Sequence, residues 1–510
     1  INIFSAVSFL SLMLFISACT DLDTLPDGDK LTTSKKEDAY NKLPERAEAG
    51  VNAIFAQFNQ YMPNATALGA SRHNDFGYPS IMLFTDASGT DVVSEDNGYN
   101  WTANSMEFSD RSYTSNEAQI IWNDFYSLIY ASNNVIMSID PETEDPTGKF
   151  NLAQGLAVRA FSYHGLAQLY QFNYVGNESK PCVPIITDQN ANEVGLEGAV
   201  RSTVQEVYDL ILSDINSAVS LLESAEVSRK DKRYIDLGVA YGIRARVHLA
   251  MQKWNEALSD ANSAIANTSA VVGGLTDVNK PTFMDSEEKN WMWGIIIAET
   301  DRVVTSGIVN WYSHMGSFTS NGYASVSKGK QINKKLFDSI SDTDVRKGWW
   351  INADKVSDNL NKEQSDFIAK IGFAPYTQVK FAPYKNVVGT ATNANDIPLM
   401  RVEEMYLIKA EAEAMSSSSK ATLESFVKDY RDPSYTFNGS SKEAIQEEVF
   451  RQRRIELWGE GLSWYHIMRV NKGVDRRGGG DPNATMVFNN PSRNGILLLR
   501  IPESEIQANS

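Results

Sequence analysis

The sequence predicts a mainly α-helical fold in which helical hairpins form the core and long loops form one face. Apolar residues recur at steps of three and four residues between Ile445 and Arg469, which places them on one face of a helix. Between Tyr241 and Ile265, small and aromatic residues follow the spacing of two antiparallel helices. Residues 64–113 and 271–398 are instead punctuated by Gly, Asn, Asp and Ser, which indicates long loops.

The composition is that of an ordinary globular protein with a large core. Hydrophobic residues make up 42% and charged residues 22% of the 510 residues, a length that corresponds to about three domains. The formal net charge is -17 at pH 7. Because nucleic acid is bound through basic patches that neutralise phosphates, this acidic chain is not expected to have a nucleic-acid partner.

The first 18 residues predict a lipoprotein signal peptide. The run from Ile1 to Ser17 is uncharged and apolar, but it is shorter than the roughly 20 residues that a membrane span needs. It lacks an initial Met and basic residues, so we expect the sequence to begin inside the natural signal. Ile16, Ser17 and Ala18 precede Cys19 in the apolar-small-small-Cys order of a lipobox. We expect cleavage before Cys19 and lipidation of its thiol, with a plain secretory signal as the alternative.

Three further regions are expected after the signal peptide. Residues 19–42 begin with acidic residues among turn formers, which predicts a flexible tether that follows the lipidated cysteine. Residues 43–270 are predicted to form an N-terminal helical region that contains the hairpins. Residues 271–510 are predicted to form a C-terminal region.

Helical periodicity predicts four helices in the N-terminal region before the hairpin at Tyr241. They span residues 43–61, 117–133, 152–170 and 203–222. Pro63 follows the first of these helices, and Thr203 and Glu206 have the spacing of a capping box that opens the last. In the C-terminal region, Trp293–Ala298 predicts a buried strand and Ile496–Ile501 a short apolar strand.

The hairpin between Tyr241 and Ile265 is the clearest repeat unit. Its aromatic and small residues stand where a tetratricopeptide hairpin has them, at Tyr241, Ala245, Trp254, Ala257, Ala261 and Ala264. Small residues let the two helices approach closely, and Trp254 is expected to fill the gap at the turn. A second pair of helices, at residues 399–414 and 421–430, is expected to stack in the same way.

Three motifs resemble the SusD/RagB family of outer-membrane nutrient-binding lipoproteins. Residues 401–412 resemble the family's R-x-x-E-x-x-L-x-x-A-E-A helix, and residues 500–506 resemble its P-I-P-x-x-E-I ending. The third motif resembles the signature E-R-R-x-E-L-x-x-E-G-x-x-W, although Gln452 stands where the first Glu is usual. The residues that match this signature and its surroundings are Arg453, Arg454, Glu456, Leu457, Glu460, Gly461, Trp464 and Arg469.

This resemblance implies a SusD-like fold with tetratricopeptide-like hairpins and extended ligand-binding loops. It also implies a lipid-anchored protein of the outer membrane that faces the cell exterior and captures a nutrient, usually an oligosaccharide. The implied partner is a SusC-like TonB-dependent transporter, to which the ligand passes without covalent change. The alternatives are a surface lipoprotein that hydrolyses glycosides and a binder of peptides or glycopeptides.

The sequence contains no catalytic motif of the nucleophile-elbow, zinc-protease, P-loop or dinucleotide-binding type. No two of its five His residues have the spacing of metal ligands, and His248 and His466 are expected to pack or lie at the surface. We therefore expect a binding protein rather than an enzyme, and no cofactor. A pair of carboxylates for glycoside hydrolysis needs only to meet in space, so the hydrolase alternative stays open.

Two settings stay open to other chemistry. A structural calcium ion is an alternative in one loop, because carboxylate and amide oxygens are calcium ligands, but the 12-residue calcium loop pattern is absent. These residues are Asp86, Asp91, Glu95, Asp96 and Asn97. Cys182 is left without a partner if Cys19 is lipidated, and it is expected to be a buried free thiol.

The candidate ligand site combines aromatic and polar residues on two loops. A sugar presents apolar C–H faces and hydroxyl groups, so it is bound by flat aromatic rings and fixed polar side chains. The candidates are Arg72, His73, Asn74, Tyr78, Tyr99 and Trp101 in residues 71–113, and Trp311, Tyr312, His314 and Tyr323 in residues 305–325. We expect the two loops to face each other, with Trp101 and Trp311 partly exposed. For any one of these aromatic residues, core packing is the more common role.

Overall fold

The computed structural model describes residues 44–509, with side chains described from Ala47 onward. The predicted signal peptide (residues 1–18) and the predicted tether (residues 19–42), with Cys19, lie outside the described residues. Across the described part of the chain, no helix is long and apolar enough to cross a membrane.

Helices dominate the described residues, which confirms the predicted mainly α fold. The α-helices are α1 (Pro44–Gln57), α2 (Ala65–Leu68), α3 (Tyr78–Ser88), α4 (Ala103–Glu107), α5 (Asn116–Met137), α6 (Pro146–Tyr170), α7 (Ala191–Glu197), α8 (Val204–Ala225), α9 (Leu237–Ala250), α10 (Trp254–Ala266), α11 (Leu275–Val278), α12 (Arg302–Thr305), α13 (Trp311–Met315), α14 (Tyr323–Val326), α15 (Lys334–Asp338), α16 (Lys362–Ile371), α17 (Val402–Ser417), α18 (Ala421–Tyr430), α19 (Lys442–Glu456), α20 (Ser463–Arg469) and α21 (Glu503–Ala508). Short 3-10 helices lie at Ser109–Arg111, Val345–Trp349, Tyr384–Asn386, Ala484–Met486 and Gly495–Leu497.

The long helices stack in sequence order. Helix α1 packs on α5, α5 on α6, α6 on α8, α8 on α9 and α9 on α10, and the stack continues from α10 to α17. The hairpin predicted at Tyr241 is α9–α10, in which Ala245, Ala257, Ala261 and Ala264 are completely buried. Small side chains at this interface allow the two backbones to approach, as predicted. The stack crosses residue 270, the predicted boundary between the N-terminal and C-terminal regions, because α10 packs on α17.

The start of α8 shows how local chemistry fixes a helix end. The hydroxyl of Thr203 accepts a hydrogen bond from the backbone N–H of Glu206, and the Glu206 carboxylate accepts one from the backbone N–H of Thr203 at 2.7 Å. These two bonds satisfy backbone donors that have no partner inside the helix. The predicted capping box is therefore confirmed.

The strands are short and pair as three antiparallel two-stranded sheets. They are β1 (Val92–Val93), β2 (Trp291–Ile295), β3 (Gln331–Ile332), β4 (Ile397–Arg401), β5 (Val474–Asp475) and β6 (Asn489–Asn490), paired β1 with β3, β2 with β4, and β5 with β6. Strand β2 is buried along its length, and it overlaps the predicted strand Trp293–Ala298 only at Trp293–Ile295. The β1–β3 pair places Val92 opposite Ile332, and it thereby joins the two loop regions that carry the candidate site.

Two sequence predictions about loops and strands are wrong. The region predicted as a loop after Pro63 contains helix α3, all of whose residues are buried. A helix buried on every side has no polar face, so its sequence lacks the amphipathic period that signals a helix. The run Ile496–Ile501 is not a strand: its first residues complete the 3-10 helix Gly495–Leu497, and no strand follows.

The stretch from Ile445 to Arg469 is two helices, α19 and α20, rather than one. Between them Gly459 and Gly461 both have a φ of +78°, a conformation that glycine adopts without the strain of a Cβ. A Cβ at Gly461 would lie 2.6 Å from the Met82 side chain, so this turn also allows α3 to pack closely. The two glycines therefore produce the bend that their low helix propensity predicts.

Two charged residues of α19, Arg453 and Glu456, are buried, although pairing on the helix surface or contact with water was expected. Glu456 accepts hydrogen bonds from Arg431 at 2.7 and 2.8 Å and lies within ion-pair distance of Arg346 and Arg401. Glu460 pairs with Arg401 at 2.8 Å. These groups are completely or almost completely buried, and the arginines hold the pKa of Glu456 well below its usual range. The signature motif therefore forms the hub of an internal ion-pair network.

Candidate functional site

The two candidate loops meet at a cluster of aromatic rings. The imidazole of His73 stacks on the indole of Trp101 with ring centroids 5.2 Å apart. The ring of Tyr323 lies edge-on to Trp101 at 6.0 Å, and its hydroxyl forms a hydrogen bond with His73 Nδ1. All three side chains are half-buried. The expectation that the loops face each other is therefore confirmed for these residues.

Polar side chains fix the orientation of this cluster. The Arg72 guanidinium lies 5.3 Å from the centroid of the Trp101 ring and donates a hydrogen bond to Glu117 at 2.9 Å. Asn74 accepts a hydrogen bond from Arg72 Nε at 3.3 Å and donates one to the Trp101 carbonyl at 2.9 Å. Because Glu117 belongs to the buried side of α5, these bonds anchor the loop to the helical stack.

His314 supports the cluster from the interior. Its ring stacks on Tyr323 with centroids 4.9 Å apart, and its Nε2 lies 2.9 Å from the His73 carbonyl oxygen. Burial lowers the pKa of His314 to about 3, so the ring is neutral at pH 7 and donates this hydrogen bond through a protonated Nε2. The pKa of His73 is also lowered by burial.

Lys330 holds the loop beneath Trp101, and sequence reasoning missed it. Its ammonium donates to Ser94 Oγ at 3.2 Å, Asn100 Oδ1 at 2.8 Å and Thr102 Oγ1 at 3.1 Å, and its side chain is buried. None of these three partners is a carboxylate, and burial lowers the pKa of Lys330 to about 7. No local sequence signal marks it, because its three acceptors lie more than two hundred residues earlier in the chain.

A small pocket opens beside the cluster. Its volume is about 160 Å³, and its polar and aromatic walls are Arg72, Asp96, Asn100, Trp101 and Asn104. Tyr99, which precedes Asn100 in the chain, does not line the pocket and is 54% exposed. The pocket therefore combines an indole, a guanidinium, amides and a carboxylate within one opening to solvent.

Comparison with known proteins identifies the family. Residues 51–249 match the family described as "Starch-binding associating with outer membrane", and residues 323–510 match the "SusD family". Together these matches cover more than half of the chain. It belongs to the SusD family.

Individual relatives of this SusD-family chain agree with that assignment. SusD-like protein P2 of Formosa agariphila is 22% identical over 99% of this chain and 97% of the relative. A SusD-like carbohydrate binding protein of Bacteroides vulgatus has the same fold, with a TM-score of 0.75 and 24% identity over 91% of this chain and 96% of that chain. Surface glycan-binding protein A of Bacteroides thetaiotaomicron, solved with laminarihexaose, has a TM-score of 0.63 and 16% identity over 91% and 97%.

Three candidate residues of this SusD-family protein are core residues in the structure. Trp311, expected to be partly exposed, is only 2% exposed and packs edge-on against Phe381 at 4.9 Å. Tyr312 is equally buried and donates from its hydroxyl to the Phe381 carbonyl at 3.3 Å. Tyr78, 6% exposed, packs among buried aromatic rings. The expected exposure of Trp311 is wrong because helices α3 and α13 turn these rings inward.

The residues considered for calcium are bound by other groups. Asp86 accepts hydrogen bonds from the backbone N–H groups of Gly461 and Ser463 at 2.8 and 3.2 Å. Asp91 pairs with Arg454. Among the described residues, no three His, Cys, Asp or Glu side chains are grouped to hold a metal ion.

The remaining His and Cys predictions concern packing. Cys182 is a buried free thiol, as predicted, and burial raises its pKa to about 12. His248 lies partly buried with its Nδ1 2.8 Å from Asp260. His466 is buried beside Arg453 in the interior.

A second and much larger opening lies away from the aromatic cluster. This groove, of about 1600 Å³, runs between α1, α5, α7 and α21. Its exposed apolar residues include Tyr130 and Leu196, 65% and 89% exposed, but its lining contains no Arg or His. The pocket beside Trp101 is much smaller, yet it offers the stacked ring and charged groups that orient a polar ligand.

Proposed function

We propose that this protein is a cell-surface lipoprotein that captures an oligosaccharide at the cluster of His73, Trp101 and Tyr323. The observation that carries the proposal is the half-buried Trp101 ring, held by loops from two distant parts of the chain beside polar groups. The captured glycan then passes to a SusC-like TonB-dependent transporter of the outer membrane. The family match and the names of the relatives support this assignment.

The chemistry of the cluster suits a sugar ring. The C–H groups of one sugar face carry partial positive charge and pack on the electron-rich face of an indole. Arg72, Asp96, Asn100 and Asn104 around the pocket offer donors and acceptors to the hydroxyl groups. A half-buried platform with fixed polar neighbours is already arranged for binding, which limits the entropy lost when the ligand is bound.

The ligand class is supported by proteins with the same fold. Two of these are named as a laminarin binding SusD-like protein and as a surface glycan-binding protein solved with laminarihexaose. A β-glucan is one candidate within the broader class of oligosaccharides. Peptides and glycopeptides are the alternative ligands, because an arginine, a histidine and an indole also suit a peptide.

We propose capture without catalysis. Glu117 already accepts hydrogen bonds from Arg72 at 2.9 Å and from Asn104 at 3.1 Å. Asp96 lies at the surface and accepts from the backbone N–H of Gly98. The pocket lining contains one carboxylate, Asp96, rather than the pair that glycoside hydrolysis requires.

The location follows from the predicted anchor. We propose that residues 1–18 are removed, that Cys19 carries the lipid, and that residues 19–42 tether the protein to the outer face of the outer membrane. Two or more acyl chains are needed for stable attachment, and a lipidated N-terminal cysteine carries them. The transporter is then close enough to receive the ligand.

The test is a binding and turnover assay on one glycan panel. Purified mature protein should bind at least one polysaccharide in affinity electrophoresis and leave its chain length unchanged after prolonged incubation. Steady release of reducing ends would favour the hydrolase alternative. If the protein binds peptides and no glycan, the proposed ligand class is replaced by peptides.

A further inference from the structure

A small cavity lies where helices α3, α6, α9, α17, α19 and α20 meet. Its volume is about 50 Å³, and its polar lining includes Arg246, Glu404, Arg453, Tyr465, His466 and Arg469. Because a single water needs about 10–15 Å³ of such space, the cavity admits a few waters or one small ion. Its walls combine these polar groups with apolar side chains, unlike those of a wholly apolar cavity, which stays empty.

Two of the three arginines around the cavity are neutralised by carboxylates. Arg246 donates to both oxygens of Glu404 at 2.8 and 2.6 Å. Arg469 donates to both oxygens of Glu411 at 2.6 and 2.7 Å. Each of these pairs is a bidentate contact, in which the charges match one to one.

The third arginine, Arg453, has no carboxylate of its own. It donates to His466 Nε2 at 2.7 and 3.2 Å. Its Nη2 lies 3.7 Å from a carboxylate oxygen of Glu404, beyond hydrogen-bond distance. The histidine accepts these bonds in its neutral form, and its pKa is lowered well below the usual value by burial and by the arginines. Arg453 is 2% exposed and shares Glu404 with Arg246, so two buried positive charges face one carboxylate.

Three buried donors at the cavity have no hydrogen-bond partner among residues 44–509. They are Arg453 Nη1, Arg469 Nε and the hydroxyl of Tyr465. Arg453 and Arg469 are 2% and 5% exposed, and all three residues line the cavity. An unpaired buried donor is costly, and an uncompensated buried charge is costlier still.

We propose that this cavity binds one monovalent inorganic anion of chloride size. A single negative charge matches the one unpaired arginine, and the three free donors are the groups that coordinate a halide. The small volume and the apolar walls formed by Phe161, Ile243 and Leu249 disfavour larger, multiply charged oxyanions. The ion would tie α20, which carries part of the signature motif, to α19.

The site can be tested in crystals and in solution. Crystals of the mature protein grown with sodium bromide should show an anomalous peak in the cavity within hydrogen-bond distance of Arg453 and Arg469. In solution, the melting temperature should rise with sodium chloride or bromide relative to sodium gluconate at equal ionic strength. A peak without this solution response would mean binding at crystal concentration only, and would overturn the proposal.

Variants separate the ion from general salt effects. Arg453→Gln removes the unpaired charge and should abolish the chloride response. Tyr465→Phe keeps the ring and removes one donor, so the chloride concentration needed for half the response should increase about tenfold. Arg244→Gln is the control, because Arg244 pairs with Asp260 away from this cavity and should leave the response intact. Water alone in the cavity, with equal melting temperatures in all three salts, would overturn the proposal.

Discussion

The imidazole of His73 lies stacked on the indole of Trp101, with 5.2 Å between the ring centroids, although helix α3 separates the two residues in the chain. Both rings are half-buried, and they lie outside the main apolar core. The stack therefore holds one aromatic face in place at the surface. It also means that Trp101 can be removed with little cost to the helical stack.

Trp101→Ala should weaken glycan binding while the protein stays folded. An aromatic side chain buries about 150–250 Å² when fully covered, and a sugar that covers about a third of it contributes on the order of 1–2 kcal/mol. The affinity should therefore fall roughly five- to thirtyfold. Calorimetric titration measures the affinity, and thermal unfolding checks the fold. Tyr130→Ala, at a ring 65% exposed in the large groove, is the control; loss of binding there instead would move the site to the groove.

Trp311→Ala should instead lower the stability of the fold. Trp311 is buried against Phe381, so its removal leaves a large cavity. Such a substitution costs about 3–5 kcal/mol of unfolding free energy. Denaturant unfolding, compared with that of Trp101→Ala, measures the difference. A Trp311→Ala protein of native stability that no longer binds glycan would return Trp311 to the site.

Cys19→Ala should release the protein from the membrane into the soluble fraction. Without a cysteine at this position there is no thiol to lipidate, and no helix of the described residues can cross a membrane. Fractionation of cells that express each form, followed by a salt wash, measures the distribution. Cys182→Ala is the matched control, because that thiol is buried and should not affect attachment. Retention of Cys19→Ala in the outer membrane would contradict the lipobox prediction.

Features that depend on neighbouring residues in the chain could be predicted from the sequence. The capping box at Thr203 and the bend at Gly459 and Gly461 follow from local backbone chemistry. The alanines of α9–α10 follow from helical spacing. The meeting of the loops that carry His73 and Tyr323 was a condition of the site prediction, and their β1–β3 connection was not predicted.

Features that depend on distant residues could not be predicted. Tyr78 and Trp311 look like loop aromatics until the helices that bury them are known. Glu456 and Arg453 have the spacing of a solvated helix face. Both are buried, because their hydrogen-bond and ion-pair partners come from other parts of the chain. Lys330 gives no sequence sign that its three acceptors lie more than two hundred residues earlier. Long-range burial decides each of these cases.

Asp124→Asn should remove part of the pH dependence of stability. Burial raises the pKa of Asp124 from 3.8 to about 8, so the folded protein holds a proton that the unfolded chain releases above pH 4. This contribution to stability is complete below pH 4 and is lost as the pH rises through about 8. Asparagine stays neutral and retains an oxygen for the Asn64 amide, which donates to Asp124 at 2.9 Å. Unfolding free energies measured at several pH values should show that the stability of the variant, relative to that of the native protein, increases as the pH rises.

The control for Asp124 is an exposed aspartate. Asp140→Asn changes a surface carboxylate just after α5 and should leave the pH profile of the native protein unchanged. If Asp124→Asn and the native protein lose stability in parallel between pH 4 and 8, the carboxyl of Asp124 is ionised in the folded protein.

Lys330→Met should change the pH dependence in the opposite sense. Burial lowers the pKa of Lys330 from 10.5 to about 7, so the unfolded chain binds a proton that the folded protein lacks between pH 7 and 10.5. Stability from this group therefore rises with pH across that range, with a slope of up to about 1.4 kcal/mol per pH unit. Below pH 7 the ammonium is buried without a carboxylate, although three oxygens accept its hydrogen bonds.

Methionine has a similar length and no charge, so Lys330→Met should lose this rise in stability. It should also loosen residues 94–102, because Ser94, Asn100 and Thr102 lose their common donor, and glycan affinity should fall together with order in this loop. Denaturant unfolding at pH 7, 8 and 9 measures the first effect, and hydrogen exchange of the loop measures the second. Lys328→Met is the control, because Lys328 lies two residues before Lys330 but is exposed and pairs with Glu95. Parallel pH profiles for Lys330→Met and the native protein would show that the buried amine keeps its proton through pH 9.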